Sequence, residues 1–319
     1  MTKTMKIAIV GPGIMSIPPV GWGAVEILIW DVTKTLEKLG HEIKIINTPN
    51  RNEIIQQVAA YAPDFTHVQY DDFIDIYPHI PGKKAITSHY GYLEQPQRYG
   101  DYSRIANAFC QVKPNVFCLS PGILQTYEKR YKLPKTNLFL TPNGVNSELF
   151  EYRDQPKYSD RSLYLAKIDY RKRQTLYQGI EGLYFAGRCA DNTFNVDSPR
   201  YLGEWSKAHL YANLTDYSNL VLISDGEAHP LVCMEAMAAG LGLVVSEAAI
   251  ANLDLTKRFI TVIPENMTKN IDYIKAQIEA NRAVSNTCRK EIKEYSKLFA
   301  WKSIVEKYYL PAIQQVLSK

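Results

Sequence analysis

The sequence predicts an α/β protein of two parallel-sheet domains, and three observations lead there. Short apolar runs of strand length alternate with helix-length amphipathic segments from residue 6 onward, a pattern that implies parallel sheets. The alternation breaks at a polar, proline-containing stretch, NSELFEYRDQPKYSD (146–160), and then resumes, which marks a linker. The chain, 319 residues and 46% hydrophobic, is too long for one typical core and apolar enough to fill two.

In order, KIAIVG (6–11) reads as a buried strand and GAVEILIWDVTKTLEKLG (23–40) as an amphipathic helix stopped by Gly40. HEIKIINT (41–48) is the second strand. NEIIQQVAAYAP follows as a helix; FTHVQY, KKAITSH and NVFCLS as strands; PGILQTYEKRY as a helix; NLFLTPNGV (137–145) closes the half. Beyond the linker, RSLYLAK, LYFAGR, NLVLIS, LGLVVS and RFITVIP are strands, and WKSIVEKYYLPAIQQVLSK is a terminal helix interrupted at Pro311.

Composition narrows the function. A net charge of +4 is mild and rules against a nucleic-acid partner. The basic cluster EKRYKLPK (128–135) is a solvated helix end, with at most peripheral contact to an anionic membrane. No apolar run is long enough to span a bilayer, and MTKTMKIAIVGPG enters a strand without a leader pattern, so a soluble cytoplasmic protein is expected. Five cysteines without a CxxC or Cys/His cluster suggest reduced thiols, with neither a disulfide framework nor a zinc site. The acidic YDDFID (70–75) reads as a solvated loop rather than a metal clamp.

The most informative segment runs from Glu227 to Glu235. The strand NLVLIS leads into the loop DGEAH, Pro230 takes the first helical position, and LVCMEAMAA continues to a stop at Gly240. Glu227 then lies in a loop at the carboxyl end of a strand, where open α/β sheets bind ligands. Glu235 sits about 7.5 Å further along the helix axis. Between them the amides of Leu231 and Val232 and the positive helix end favour a diphosphate, leaving one carboxylate for ribose hydroxyls and one for hexose hydroxyls.

With EAMAAG and the following strand LGLVVS, this string resembles the E-x7-E signature of retaining glycosyltransferase family 4. The resemblance implies the GT-B fold: two Rossmann-like, doubly wound parallel-sheet domains facing a cleft, with the C-terminal helix crossing back to the first domain. Residues 1–153 plus 300–319 would form the acceptor-side domain and 154–299 the nucleotide-sugar domain. The Trp301 segment resembles the family's closing pattern, and Asn143-Gly144-Val145-Asn146 with Phe150 its N-G-V-D segment.

Gly11-x-Gly13 after the first strand invites a dinucleotide-binding reading instead. Pro18 and Pro19 delay the helix past the glycines, however, and the second strand ends in Asn47-Thr48, without the acid that would hold a cofactor ribose. SIPPVGWGAVE resembles rather the family loop with two glycines, Gly21 and Gly23, before the first helix, where backbone can approach a phosphate. AITSH is similar to the T-x-H motif, which implies that His89 lies near the transferred sugar and donates a hydrogen bond to it or stabilises developing charge. In SLYLAKIDYRKRQ the diphosphate cations align as Lys167 and Lys172, with Arg173 the rival for the second and Arg171 a solvated charge. Ala228-His229-Pro230 stands where the family has Gly-Phe-Gly or Gly-Phe-Pro, which brings His229 among the donor contacts.

The resemblance thus implies hexosyl transfer, with retention, from a nucleoside-diphosphate sugar of GDP-mannose or UDP-hexose type to a hydroxyl on a glycan, lipid or protein. No metal and no tightly bound cofactor are expected. Glu235 would hold the ribose, Lys167, Lys172 and the Leu231 and Val232 amides the diphosphate, and Glu227 and His89 the sugar. Two alternatives stay open: a nucleotide-sugar-binding protein without transferase activity, motivated by residues 228–230, and a GT-B nucleotide-sugar epimerase. Donor base, sugar, acceptor and oligomeric state are open too, the acceptor being assigned to the loops around 89–100.

Overall fold

The computed structural model describes residues 4–19 and 23–319. The chain divides into two compact units, the first ending at Gly144 and completed by Trp301–Lys319, the second spanning Val145–Ala300.

Unit 1 runs β1 (Lys6–Gly11), α1 (Ala24–Lys38), β2 (Glu42–Asn47), α2 (Arg51–Tyr61), β3 (Phe65–Val68), β4 (Lys84–Ile86), α3 (Ser103–Val112), β5 (Val116–Cys118), α4 (Pro121–Gln125) and β6 (Leu138–Leu140). The strands form one sheet in the order β2-β1-β3-β4-β5-β6, every pair parallel. Ile7, Ile9, Phe65, Val68 and Phe117 make its fully buried centre. Gly40 ends α1 as expected: at φ +88° it places its own amide on Glu37 O and that of His41 on Leu36 O. α3 was not legible as an element of its own, and PGILQTYEKRY is helical only to Gln125 before widening into a π turn over Thr126–Arg130.

Unit 2 runs β7 (Tyr158–Leu165), α5 (Gln174–Tyr177), β8 (Leu183–Ala186), α6 (Lys207–Asn213), β9 (Tyr217–Leu222), α7 (Leu231–Ala238), β10 (Gly242–Ser246), β11 (Ile260–Ile263) and α8 (Ile271–Ser296). Its sheet is again wholly parallel, in the order β11-β10-β9-β7-β8. The longest helix, α8, is absent from the hydrophobic pattern because its inner face is partly polar: Asn281, Ser285 and Arg289, spaced by four, are all buried against the sheet. Asn281 Nδ2 donates to Leu243 O and Phe259 O at 3.0 Å, and Ser285 Oγ accepts the Gly242 amide at 2.8 Å. These bonds stand in for the apolar stripe that an amphipathic helix would show.

The chain returns to unit 1 through α9 (Trp301–Ile304) and α10 (Leu310–Leu317). Between them Val305–Tyr309 forms a π turn, the local adjustment to Pro311, which has no amide to donate and crowds the carbonyl one turn back. Gly144 is required by close approach: a Cβ there would lie 2.5 Å from the Trp301 indole.

Both sheets reverse direction at one place, between β1 and β3 in unit 1 and between β7 and β9 in unit 2. The loops that leave the carboxyl ends of those strands diverge there, and such switch points are where open α/β sheets take ligands.

Candidate functional site

In unit 2 the two loops at the switch point carry the residues singled out from sequence. The loop after β7 turns tightly at Tyr170–Lys172, with Asp169 capping it through the amides of Arg171 at 3.1 Å and Lys172 at 3.3 Å. The loop after β9 carries Glu227. The two meet in an ion pair between Lys172 Nζ and Glu227 Oε1, both side chains largely shielded from solvent. A buried tyrosine that the sequence gave no reason to single out fixes this junction. Tyr164, on β7, donates its hydroxyl to Lys172 O and accepts the Ile223 amide at 2.8 Å, and burial holds its pKa far above the usual range. The Asp225 amide adds a bond to Arg171 O at 2.9 Å.

α7 begins at Leu231. Pro230 is therefore the N-cap rather than the first helical residue, with φ −71° and ψ 114°, and its carbonyl takes the Cys233 amide at 3.3 Å. The reason is local: Pro230 has no amide, and its extended ψ lets the chain arrive from the Glu227 loop before the helix turns. Leu231 and Val232, half-buried, occupy the first turn as expected. Glu235 is buried on α7 and meets Lys207 Nζ at 3.1 Å. Lys207 opens α6 after the Ser206 cap and belongs to no motif, so spacing could not find it. Each glutamate of the pair thus has its own lysine.

The remaining cations separate. Arg173, in left-handed conformation at φ +57°, forks onto Glu265 at 2.5 and 3.1 Å. Arg171 pairs with Asp169 at 3.1 Å, and Lys167 is exposed. His229 is buried just before α7, its ring 6.4 Å from that of Phe299, and burial lowers its pKa to about 3, so it is a neutral imidazole at physiological pH.

The far end of α7 is held as firmly. Gly240 at φ +86° completes a Schellman turn, its amide on Met237 O and that of Leu241 on Ala236 O. The buried Arg289 of α8 gathers the carbonyls of Ala239, Thr215, Tyr217 and Arg153, at 2.6–3.3 Å, and the Thr215 hydroxyl. Burial lowers its pKa to about 10 against the opposing pull of Tyr152, Asp154 and Asp216, so it is still cationic at neutral pH.

At the switch point of unit 1, Gly13 is at φ +70° with its amide on Asn47 Oδ1 at 2.9 Å, while Asn47 Nδ2 donates to Met15 O at 2.7 Å. Asn47, noted above for not being acidic, is a clasp for the loop after β1. Gly23 is the N-cap of α1, where a Cβ would meet the buried Glu26 carboxylate at 2.7 Å. Gly21 lies outside the described residues. His89 stands after β4, half-buried, with Nε2 2.9 Å from Gln69 Oε1, and burial lowers its pKa to about 4. His67 is packed in β3 as expected from FTHVQY, yet it is hydrogen-bonded through both ring nitrogens. YDDFID is not a loose loop: Asp71 is buried and accepts hydrogen bonds from Ser88 and Tyr102, while Asp72 and Asp75 pair with Arg51. Among the described residues no three His, Cys, Asp or Glu side chains gather as a metal site, and no helix is long and apolar enough to cross a membrane.

No family model matches the sequence, and no curated protein does. Solved structures do. AviGT4, a glycosyltransferase involved in avilamycin A biosynthesis, superposes with a TM-score of 0.71 at 15% identity over 98% of both chains. Sucrose-phosphate synthase from Thermosynechococcus elongatus gives 0.73 at 16% identity, covering 98% of this chain and 99% of the other. HepE of Anabaena, in complex with UDP and glucose, gives 0.67 at 13% identity over 98% and 99%. The fold is GT-B. In GT-B terms unit 1 is the N-terminal Rossmann-like domain, completed by the terminal helix, and unit 2 the C-terminal one.

Proposed function

We propose that this GT-B protein is a retaining, family 4-like glycosyltransferase that moves a hexosyl group from a nucleoside-diphosphate sugar to a hydroxyl acceptor on a glycan, lipid or protein, acting in the cytoplasm. The observation that supports this reading most is the pair of glutamate–lysine contacts, Glu227 with Lys172 and Glu235 with Lys207, on either side of the α7 N-terminus at the unit 2 switch point. A diphosphate needs fixed positive charge and helix amides; a ribose and a hexose need acceptors for their hydroxyl protons. All are present within one loop–helix segment and the loop beside it.

In the proposed mechanism Lys172 exchanges Glu227 for the diphosphate, with Lys167 and the Leu231 and Val232 amides completing its contacts, and Glu227 is freed to accept from a sugar hydroxyl. Glu235, held by Lys207, accepts from the ribose, and neutral His229 lines the donor site. His89 orients the sugar. As the anomeric C–O bond to phosphate breaks, Lys172 stabilises the charge that develops on the leaving oxygen. The leaving phosphate takes the acceptor's proton while the acceptor oxygen bonds to the same face of the anomeric carbon. Arg173, which faces Glu265 rather than Glu227, stays the rival for the second diphosphate cation. The complexes of HepE with UDP and with UDP-glucose support a uracil nucleotide as the first donor to try, before GDP-mannose.

Calorimetric titration of a panel of nucleotide sugars, followed by product analysis with and without acceptors, tests the reading. Glu235→Ala is expected to weaken donor binding by about 10- to 100-fold, the loss of a charge-assisted hydrogen-bond acceptor. Glu227→Ala is expected to bind donor nearly as before and to lose turnover. Unchanged donor affinity in Glu235→Ala sinks the assignment. Binding without hydrolysis or transfer makes the protein a nucleotide-sugar binder, and an altered sugar without acceptor makes it an epimerase.

A further inference from the structure

Behind His89 lies a buried run of polar groups that the proposed mechanism does not use. His89 Nε2 is 2.9 Å from Gln69 Oε1, Gln69 Nε2 is 3.2 Å from His67 Nδ1, and His67 Nδ1 is 2.8 Å from the Tyr309 hydroxyl of the terminal helical segment. On its other side His67 Nε2 is 2.8 Å from Thr87 Oγ1, which lies 3.2 Å from Phe117 O. His67, Gln69, Thr87 and Tyr309 are all buried.

The direction of every bond follows from the last one. A backbone carbonyl only accepts, so the Thr87 hydroxyl donates to Phe117 O and its lone pair faces His67. His67 therefore carries its proton on Nε2. It is neutral, burial having lowered its pKa to about 3 with a smaller contribution from His89, and so Nδ1 is an acceptor. Tyr309 O–H and the Gln69 amide N–H both donate to that lone pair. The amide orientation of Gln69 is then fixed, because the flipped amide would set its oxygen against the His67 lone pair. Gln69 Oε1 is left facing His89 and can only accept.

We infer that Gln69, His67 and Tyr309 form a one-way hydrogen-bond chain that fixes His89 as its Nε2–H tautomer and leaves Nδ1 as an acceptor for a ligand hydroxyl. Gln69, His67 and Tyr309 are positioning residues, since they act through His89. For the ligand, the inference rests on the proposed role of His89 at the sugar, and it reverses the polarity that the motif suggested: His89 accepts a hydrogen bond from a hydroxyl rather than donating one. The hydroxyl class it selects is a sugar alcohol held as donor, not a carbonyl or phosphate oxygen.

Nitrogen-15 NMR of the histidines in the full chain at neutral pH tests it, because the shifts of the two ring nitrogens identify the tautomer without any activity. Wild-type His89 is expected as Nε2–H. Gln69→Leu is expected to mix its tautomers and lower kcat by about 10- to 100-fold with donor KM changed little, the signature of misorientation rather than lost binding. An Nδ1–H signal for wild-type His89 overturns the inference on the native protein alone, whether or not the variant folds; so does an unaltered tautomer in Gln69→Leu. If the tautomer behaves as expected while no sugar is transferred, the chain stands and the transferase reading fails.

Discussion

Unit 1 and unit 2 reach the same topological position with opposite chemistry. At the β7/β9 switch point, unit 2 presents charges: Lys172 against Glu227, Lys207 against Glu235, and behind them the cationic Arg289 holding the end of α7. At the β1/β3 switch point, unit 1 presents mainly neutral groups: an asparagine clasp on the glycine loop, which ends beside the buried Glu26 carboxylate, and imidazoles and an amide leading inward to Tyr309. An ion pair can be exchanged for a charged ligand: the cation takes the ligand's anion as its new partner and the carboxylate is released to accept from hydroxyls. A neutral chain cannot exchange charge; it can set direction. On the proposed function this difference is a division of labour, in which unit 2 would grip an anion and unit 1 would orient a hydroxyl.

The strongest test of the difference is to remove the buried anchor from each side. Arg289→Met leaves several buried carbonyls without their donor and is expected to cost about 3–5 kcal/mol of stability. Tyr309→Phe removes one neutral hydroxyl and is expected to cost about 1 kcal/mol. Chemical denaturation followed by hydrogen exchange reads both, and the Arg289 loss should fall on α7 and its neighbours. Equal costs would erase the distinction between a charged and a neutral support.

Next in size is the site itself. Lys172→Ala removes the cation assigned to the leaving diphosphate and is expected to lower kcat by about 10²–10³-fold, whereas Arg173→Ala, which breaks only the pair with Glu265, should change it little. Steady-state kinetics with the preferred donor decides. A larger loss at Arg173 would transfer the diphosphate role to it.

Acid should separate the units as well. Burial lowers the pKa of His67 and His229 to about 3 and of His89 to about 4, against 6.5 when exposed. For each, the folded state prefers the neutral ring, so the stabilisation is complete above about pH 7.5. It is lost as pH falls through 6.5 towards the folded value, because the unfolded chain takes up the proton first, with a limiting slope of about 1.4 kcal/mol per pH unit per group. Two of these rings are in unit 1 and one in unit 2. Hydrogen exchange at pH 7.5 and 5.5 should show protection lost more in unit 1; a uniform loss would mean that the imidazole chain is not what acid attacks.

How much of this was legible divides along the same line. The parallel sheets, Glu227, Glu235, Gly40 and Gly240 could be read because strand runs, helix stops and carboxylate spacing are local patterns. The helix α8 could not, since Asn281, Ser285 and Arg289 point inward where the pattern reading expects apolar side chains. Lys207 and Tyr309 could not either. Lys207 lies 28 residues from Glu235, and Tyr309 lies 242 from His67, so nothing in the intervening sequence signals the contact. The acidic run at 70–75 misled for the related reason that Asp71 is satisfied by Ser88 and Tyr102, neither adjacent to it.

A further small effect concerns Gly240, the glycine at which α7 ends. At φ +86°, Gly240 adopts a conformation that costs an L-residue about 1 kcal/mol, and an added Cβ would meet the Tyr152 ring at 2.9 Å. The ring can yield by a few tenths of an ångström, so Gly240→Ala should lower stability by about 1–2 kcal/mol without unfolding the chain. What it should disturb is the Schellman turn, whose Leu241-to-Ala236 bond hands the chain from α7 to β10. If the carboxylate of Glu235 is positioned from that end of the helix, donor affinity falls with the stability. If it is positioned from the Pro230 end, where the Glu227 loop and Tyr164 set the register, affinity is untouched while the melting temperature drops. Calorimetry and thermal denaturation on this single variant therefore establish which end of the helix fixes the charged site.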